Sequence, residues 1–131
     1  MSLPRLCGRV TRLEEHARRV RWYADVRVSF VRLMAEAGAA VGLAPAAVQG
    51  LCTALAQTLH TFSPYVPACC STDVPTCIAD VQAVKAFGSR LCAAMLTMLD
   101  TQVTDPSTRY RLSMELVQAF DEEVTRRAGL S

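Results

Sequence analysis

AGAAVGLAPAAVQGLCTALAQTLHTFSPYVPACCST, residues 37 to 72, runs for 36 residues without an Asp, Glu, Lys or Arg, in a chain that is 20% charged. Charged side chains are the ones least often buried, so such a gap marks the interior of a folded unit. Within it Val48, Leu51, Cys52, Leu55, Leu59 and Phe62 recur at spacings of three and four, the period of one helical face. A helix from Pro45 to about Phe62 is predicted, as the central element on which the others pack. Its outer face carries Gln49, Thr53, Gln57, His60 and Thr61, polar but without the Lys or Glu of an ordinary surface helix. Two readings stay open: the face is covered by the following loop or by a partner, or Thr and Gln simply meet water.

On the N-terminal side, no Pro or Gly occurs between Gly8 and Gly38. The spacing of Thr11 and Glu14 fits a reciprocal capping box, which places the start of a first helix at Thr11. Leu13, Ala17, Val20, Tyr23, Phe30, Val31 and Met34 trace its apolar stripe. From Val20 to Phe30 the apolar residues also alternate with a period of two, which describes a half-buried strand equally well. Helix is favoured, because strong helix formers flank the segment without an intervening turn residue. Gly42 ends this helix and Pro45 suits the first turn of the next.

On the C-terminal side, residues 63 to 76 hold Pro64, Pro67 and Pro75 and read as one long irregular loop. Asp73 caps a third helix running to Val103, with Val74, Ile78, Val81, Val84, Gly88, Leu91, Cys92, Met95 and Leu99 in its stripe. A glycine inside that stripe marks a close crossing with another helix or a weak spot. Asp105 and Pro106 open a fourth helix, with Tyr110, Met114, Leu116, Val117, Phe120 and Val124 on its buried side and Asp121, Glu122 and Glu123 outside. Helices of about 28, 18, 28 and 22 residues, with one longer Pro- and Cys-containing loop, predict an all-α, four-helix antiparallel bundle. The 131 residues form one domain.

Charge is uneven. Residues 1 to 36 carry eight Arg against four acids, a net of +4 within an overall +2. Thirteen of the fourteen basic residues are Arg. Either a biased coding composition or bidentate contact with phosphate or carboxylate accounts for that. The Arg residues are interleaved with acids and no aromatic RNA-binding or recognition-helix signature is present, which argues against nucleic acid. Arg5 and Arg9, set among apolar residues with no acid before Glu14, resemble an import signal, so mitochondrial placement is one expectation within an intracellular reading. No stretch reads as a transmembrane span; residues 37 to 56 come closest, but Pro45, Gln49 and the Ala and Gly runs spoil them.

Chemistry is sparse. There is no phosphate-binding glycine loop, no H-E-x-x-H and no G-x-S-x-G, and the two histidines lack an oriented partner, so no enzyme and no cofactor are expected. The metal candidates are His60, Cys69, Cys70 and Cys77, whose spacing departs from zinc-site spacing. A disulfide from Cys69 or Cys70 to Cys77, and a Cys77 thiolate favoured by a helix N-terminus, are the other readings of that group. The cysteine pattern is not the paired C-x9-C or C-x3-C of small intermembrane-space proteins, and no L-Y-R tripeptide occurs. The expected function is a non-catalytic helical interaction or structural subunit, contacting a protein partner or a second copy through Trp22, Val26, Gln49, Thr53 and Gln57. The alternatives are a small-ligand or metal-binding bundle, or a helical regulator that offers a groove to a partner helix.

Overall fold

The computed structural model describes residues 3 to 71 and 78 to 127. Four helices follow in order, α1 over Leu3–Ala40, α2 over Pro45–His60, α3 over Ile78–Gln102 and α4 over Pro106–Arg127, with short 3-10 turns at Ser63–Tyr65 and Ala68–Ser71. Each helix packs on its sequence neighbour and α4 returns to α1, closing an all-α antiparallel ring. The hub is α1 rather than α2. It meets α2, α4 and the Ala68–Ser71 turn, whereas α2 meets only α1 and α3 to any extent.

The first helix begins well before Thr11, which lies inside it, so the capping box is not its start. Pro4 falls in the first turn, where a missing N–H costs nothing, and no later residue is strong enough to stop propagation. The alternating segment is helical throughout: Tyr23, Val26, Phe30 and Met34 form the core stripe at steps of three and four. Leu13 is 69% exposed, and Val20 and Val28 are also on the surface. At its other end Gly42 adopts φ 83°, the Leu43 N–H donates to Gly38 O at 3.0 Å and the Gly42 N–H to Ala39 O at 3.1 Å. That is a Schellman cap, and only glycine takes the left-handed position without strain.

Two glycines mark where helices touch most closely. A Cβ on Gly88 would sit 2.9 Å from Val124 Cγ1, so the glycine in the stripe of α3 is a crossing point with α4. A Cβ on Gly38 would meet Val48 Cγ2 at 3.0 Å, giving the α1/α2 pair a similar contact. Leu51, Leu55 and Leu59 of α2 and Leu91, Met95 and Leu99 of α3 complete the interior. Phe30 and Phe120 stack between α1 and α4 with centroids 3.8 Å apart.

On α4 the expected face is corrected. Leu112, Leu116, Phe120 and Val124 are buried, while Tyr110 is 67% exposed and Met114 and Val117 are also on the surface. Both sets recur at helical spacing, but Leu112, Leu116 and Phe120 sit on the side that faces Phe30 and the ring's interior. Glu123 is not an outward acid either: it accepts from Arg127 Nε at 2.6 Å, and Arg127 Nη2 reaches Ser29 Oγ on α1 at 2.5 Å. The Asp105 cap forms as expected, accepting from the Thr108 N–H at 3.0 Å. On α3, Val84, Phe87, Leu91 and Leu99 are buried, but Ile78 is exposed at the tip of the helix. Asp73, Val74, Pro75 and Cys77, read as the cap and first turn of α3, lie outside the described residues.

Candidate functional site

The loop after α2 packs along α1 and leaves the outer face of α2 open. Gln49, Thr53, Gln57, His60 and Thr61 are all exposed. Thr53 and Thr58 donate to the carbonyls of Gln49 and Ala54 at 3.0 and 2.9 Å, four residues back in their own helix. A hydroxyl satisfied in this way leaves a smooth surface that presents few groups outward.

Beside that face runs a groove between α2 and α3. Two shallow concavities of about 670 and 430 Å³ share Ala94 and Thr97, so they form one trough. Its walls are Ala54, Gln57 and Thr58 of α2 and Ala94, Thr97 and Thr101 of α3, with Met98 in the floor. At one end stand Phe62, Tyr65 and Arg90. Phe62 and Tyr65 meet edge to face at 6.3 Å, and Tyr65 remains largely exposed. From Arg90 to Gln102 the helix rises about 18 Å, a little over three turns. Among the described residues, Arg90 is the only Asp, Glu, Lys or Arg that lines the trough.

Of the five residues expected to meet a partner, Gln57 lines this groove and Gln49 and Thr53 are exposed on the same helix. Trp22 is half-buried, 6.3 Å from the Phe87 ring, and Val26 is wholly buried in the core, out of reach of any partner. Tyr65, Arg90, Ala94 and Thr97 were not singled out by sequence. The signal was there in C-A-A-M-L-T, where two alanines and a threonine interrupt what otherwise reads as core.

The Cys and His candidates do not converge. Cys70 is buried, and desolvation, then the neighbouring Cys69, push its thiol up to about 12. Cys69 is half-buried, its Sγ 3.6 Å from Asp80 O. His60 is exposed and bonded to Arg27, and Cys77 is outside the described residues. Among the described residues no group of three His, Cys, Asp or Glu is placed to hold a metal ion.

A third feature lies between α1 and the Ser63–Tyr65 turn, where Arg19, Tyr23 and Arg27 meet Ser63, Pro64 and Val66 around a cleft of about 200 Å³. Arg27 Nη1 lies 3.0 Å from His60 Nδ1. An arginine N–H can only donate, so Nδ1 is the accepting atom of this pair. The guanidinium carbon lies 5.3 Å from the centre of the Tyr23 ring, and Tyr23 is itself fixed by donating to the Leu59 carbonyl. Burial pushes the Tyr23 phenol up, against a smaller opposite pull from Arg27, so it stays protonated. Arg27 Nε is buried and has no hydrogen-bond partner, a condition worth about 1 to 3 kcal/mol of lost stability where it persists.

No helix among the described residues is long and apolar enough to cross a membrane. No protein-family model, curated protein or solved structure matches the chain.

Proposed function

We propose that the chain is a non-catalytic helical interaction subunit that receives an amphipathic helix of a partner protein in the groove between α2 and α3. The observation that supports it is the trough itself, three turns long, lined by Ala and Thr and almost free of charge. Depletion of charged residues, rather than bulk hydrophobicity, is what distinguishes the core of a protein interface. Small side chains on both walls allow the backbone of a third helix to come close, and the exposed Tyr65 beside Phe62 offers an aromatic anchor of the kind that dominates binding energy. Arg90 at one end sets a direction: the partner helix carries a carboxylate there.

The test is a selection of binders from a library of amphipathic helical peptides against the whole chain. Selected peptides are expected to compete with one another and to lose binding to Ala94→Arg, which fills the trough, while a substitution on α4, Met114→Arg, leaves them bound. Peptides that bind Ala94→Arg as well as the wild type would overturn the groove. The second reading is self-association through the exposed stripe Tyr110, Met114 and Val117 of α4. Light scattering separates the two, since a monomer near 14.3 kDa leaves that stripe unpaired. Mitochondrial import, read from residues 1 to 10, is a separate proposal that a fluorescent fusion with and without those residues checks.

A further inference from the structure

The cleft on α1 has a different character from the groove, and nothing in the partner reading uses it. It gathers His16, Arg19 and Arg27 on one face of the helix, at steps of three and eight, and brings no carboxylate among its lining residues. Neither Arg19 nor Arg27 enters an ion pair among the described residues. Elsewhere in the fold a partly buried Arg is matched, as Arg127 is by Glu123 at 2.6 Å. Two positive charges therefore stand around a small concavity that has no carboxylate among its described lining residues.

The arrangement of Arg27 is specific. Its Nη1 is committed to His60 and its guanidinium carbon lies 5.3 Å from the centre of the Tyr23 ring, so two contacts hold the side chain in place. That leaves the edge formed by Nε and Nη2; Nε has no partner and is closed to water, so a ligand oxygen meets it once the side chains around it part. This edge is the one through which an arginine grips two oxygens of a phosphate at once. Ser63 adds a hydroxyl to the rim, while Val20, Pro64 and Val66 give one side an apolar wall. A phosphate monoester carries nearly two negative charges at neutral pH, which the two arginines balance, and a carboxylate carries one.

We infer that the cleft between α1 and the Ser63–Tyr65 turn binds a small phosphate monoester, with Arg19 and Arg27 holding the phosphate and the apolar wall covering a short carbon portion. A volume of about 200 Å³ takes a phosphate with a few carbon atoms and excludes a nucleotide lying wholly inside. The seat lies on the hub helix, apart from the residues that line the groove.

Titration calorimetry of the full chain with glycerol 3-phosphate tests it, with succinate as a dicarboxylate of similar size and charge. Saturable binding is expected, and Arg19→Gln and Arg27→Gln should each weaken it about tenfold, the worth of one charge-assisted hydrogen bond at the low end of its range. Arg27→Lys keeps the charge but not the fork, and should weaken binding nearly as much as Arg27→Gln. Arg111→Gln, on the exposed side of α4, should change nothing. Circular dichroism of each variant shows whether it is folded, and Arg19→Gln carries the test if Arg27→Gln is not. Absence of saturable binding, equal loss in Arg111→Gln, full binding in Arg27→Lys, or succinate bound as tightly as the ester would each overturn it.

Discussion

The α1–α4 seam and the α2–α3 seam solve the same packing problem with opposite materials. Between α1 and α4, Phe30 stacks on Phe120 at 3.8 Å, and Arg127 ties Ser29 to Glu123 across the boundary. Between α2 and α3 the outer rows are Ala54, Thr58, Ala94, Thr97 and Thr101, which cover the leucines beneath them and then stop short. Large rings and a charge clasp close the first seam flush. Small side chains leave the second as a trough. The difference teaches that a ring of four helices can bury its core fully and still keep one furrow, provided the residues above the core are short.

Breaking the closed seam should cost most. Phe120→Ala removes a fully buried ring from the stack, and a loss of about 3 to 5 kcal/mol is expected in denaturant unfolding. Gly88→Ala should follow at about 1 to 3 kcal/mol, because its new Cβ meets Val124 Cγ1 at 2.9 Å. Adding Val124→Ala should recover part of that loss if the clash is the cause. Arg127→Met takes the partner from the buried Ser29 and is expected to cost about 1 to 2 kcal/mol.

The clasp also gives the closed seam a pH dependence that the open one lacks. Partial burial pushes the Glu123 carboxyl up, but hydrogen bonds from Arg126 and Arg127 outweigh it and hold the group below the usual range. A carboxyl lower in the folded state contributes its full stability above the unfolded value of about 4.3 and loses it as pH falls through the folded value. The Asp105 cap acts with the same sign, held down first by the Thr108 hydroxyl. Melting temperature should therefore drop as pH falls from 5 toward 3, and drop less in Glu123→Gln. The smallest effect belongs to the trough. Ala94→Arg should change the stability of the monomer by no more than about 0.5 kcal/mol, since the new side chain extends from a half-buried position into solvent. Its effect should appear only in peptide binding.

Much of the ring was readable because its punctuation has single causes. Gly42 is the left-handed cap, Pro45 and Pro106 sit in first turns, Asp105 takes the Thr108 N–H, and Gly88 is a crossing. The faces were read less well. Tyr110, Met114 and Val117 repeat as regularly as Leu112, Leu116 and Phe120, and periodicity shows that a helix has an apolar side without showing which side finds a neighbour. Leu13 and Val20 continue the stripe of α1 at helical spacing and yet are exposed, since spacing does not show where along a helix the neighbouring elements cover it. The groove was half legible: Gln57 was singled out from α2, but Ala94, Thr97 and Thr101 of the opposite wall fall between the stripe residues of α3 and were not singled out. The cleft was not legible at all, because Arg19, Arg27, His60 and Ser63 meet only after the chain has turned back on α1.

The order of the ring has a consequence for how the chain is made. Three of its four seams join helices consecutive in sequence, and only the α1–α4 seam joins the two ends. Successive hairpins can therefore form as the polypeptide lengthens, at small loop-closure cost and with rapid folding. Until α4 is complete, Phe30 has no ring to stack on, and the face around it stays open to other chains. A chain ending at Val103 should accordingly bind an apolar dye and aggregate where the full chain does not. The fourth helix is thus the element that closes the ring and covers Phe30.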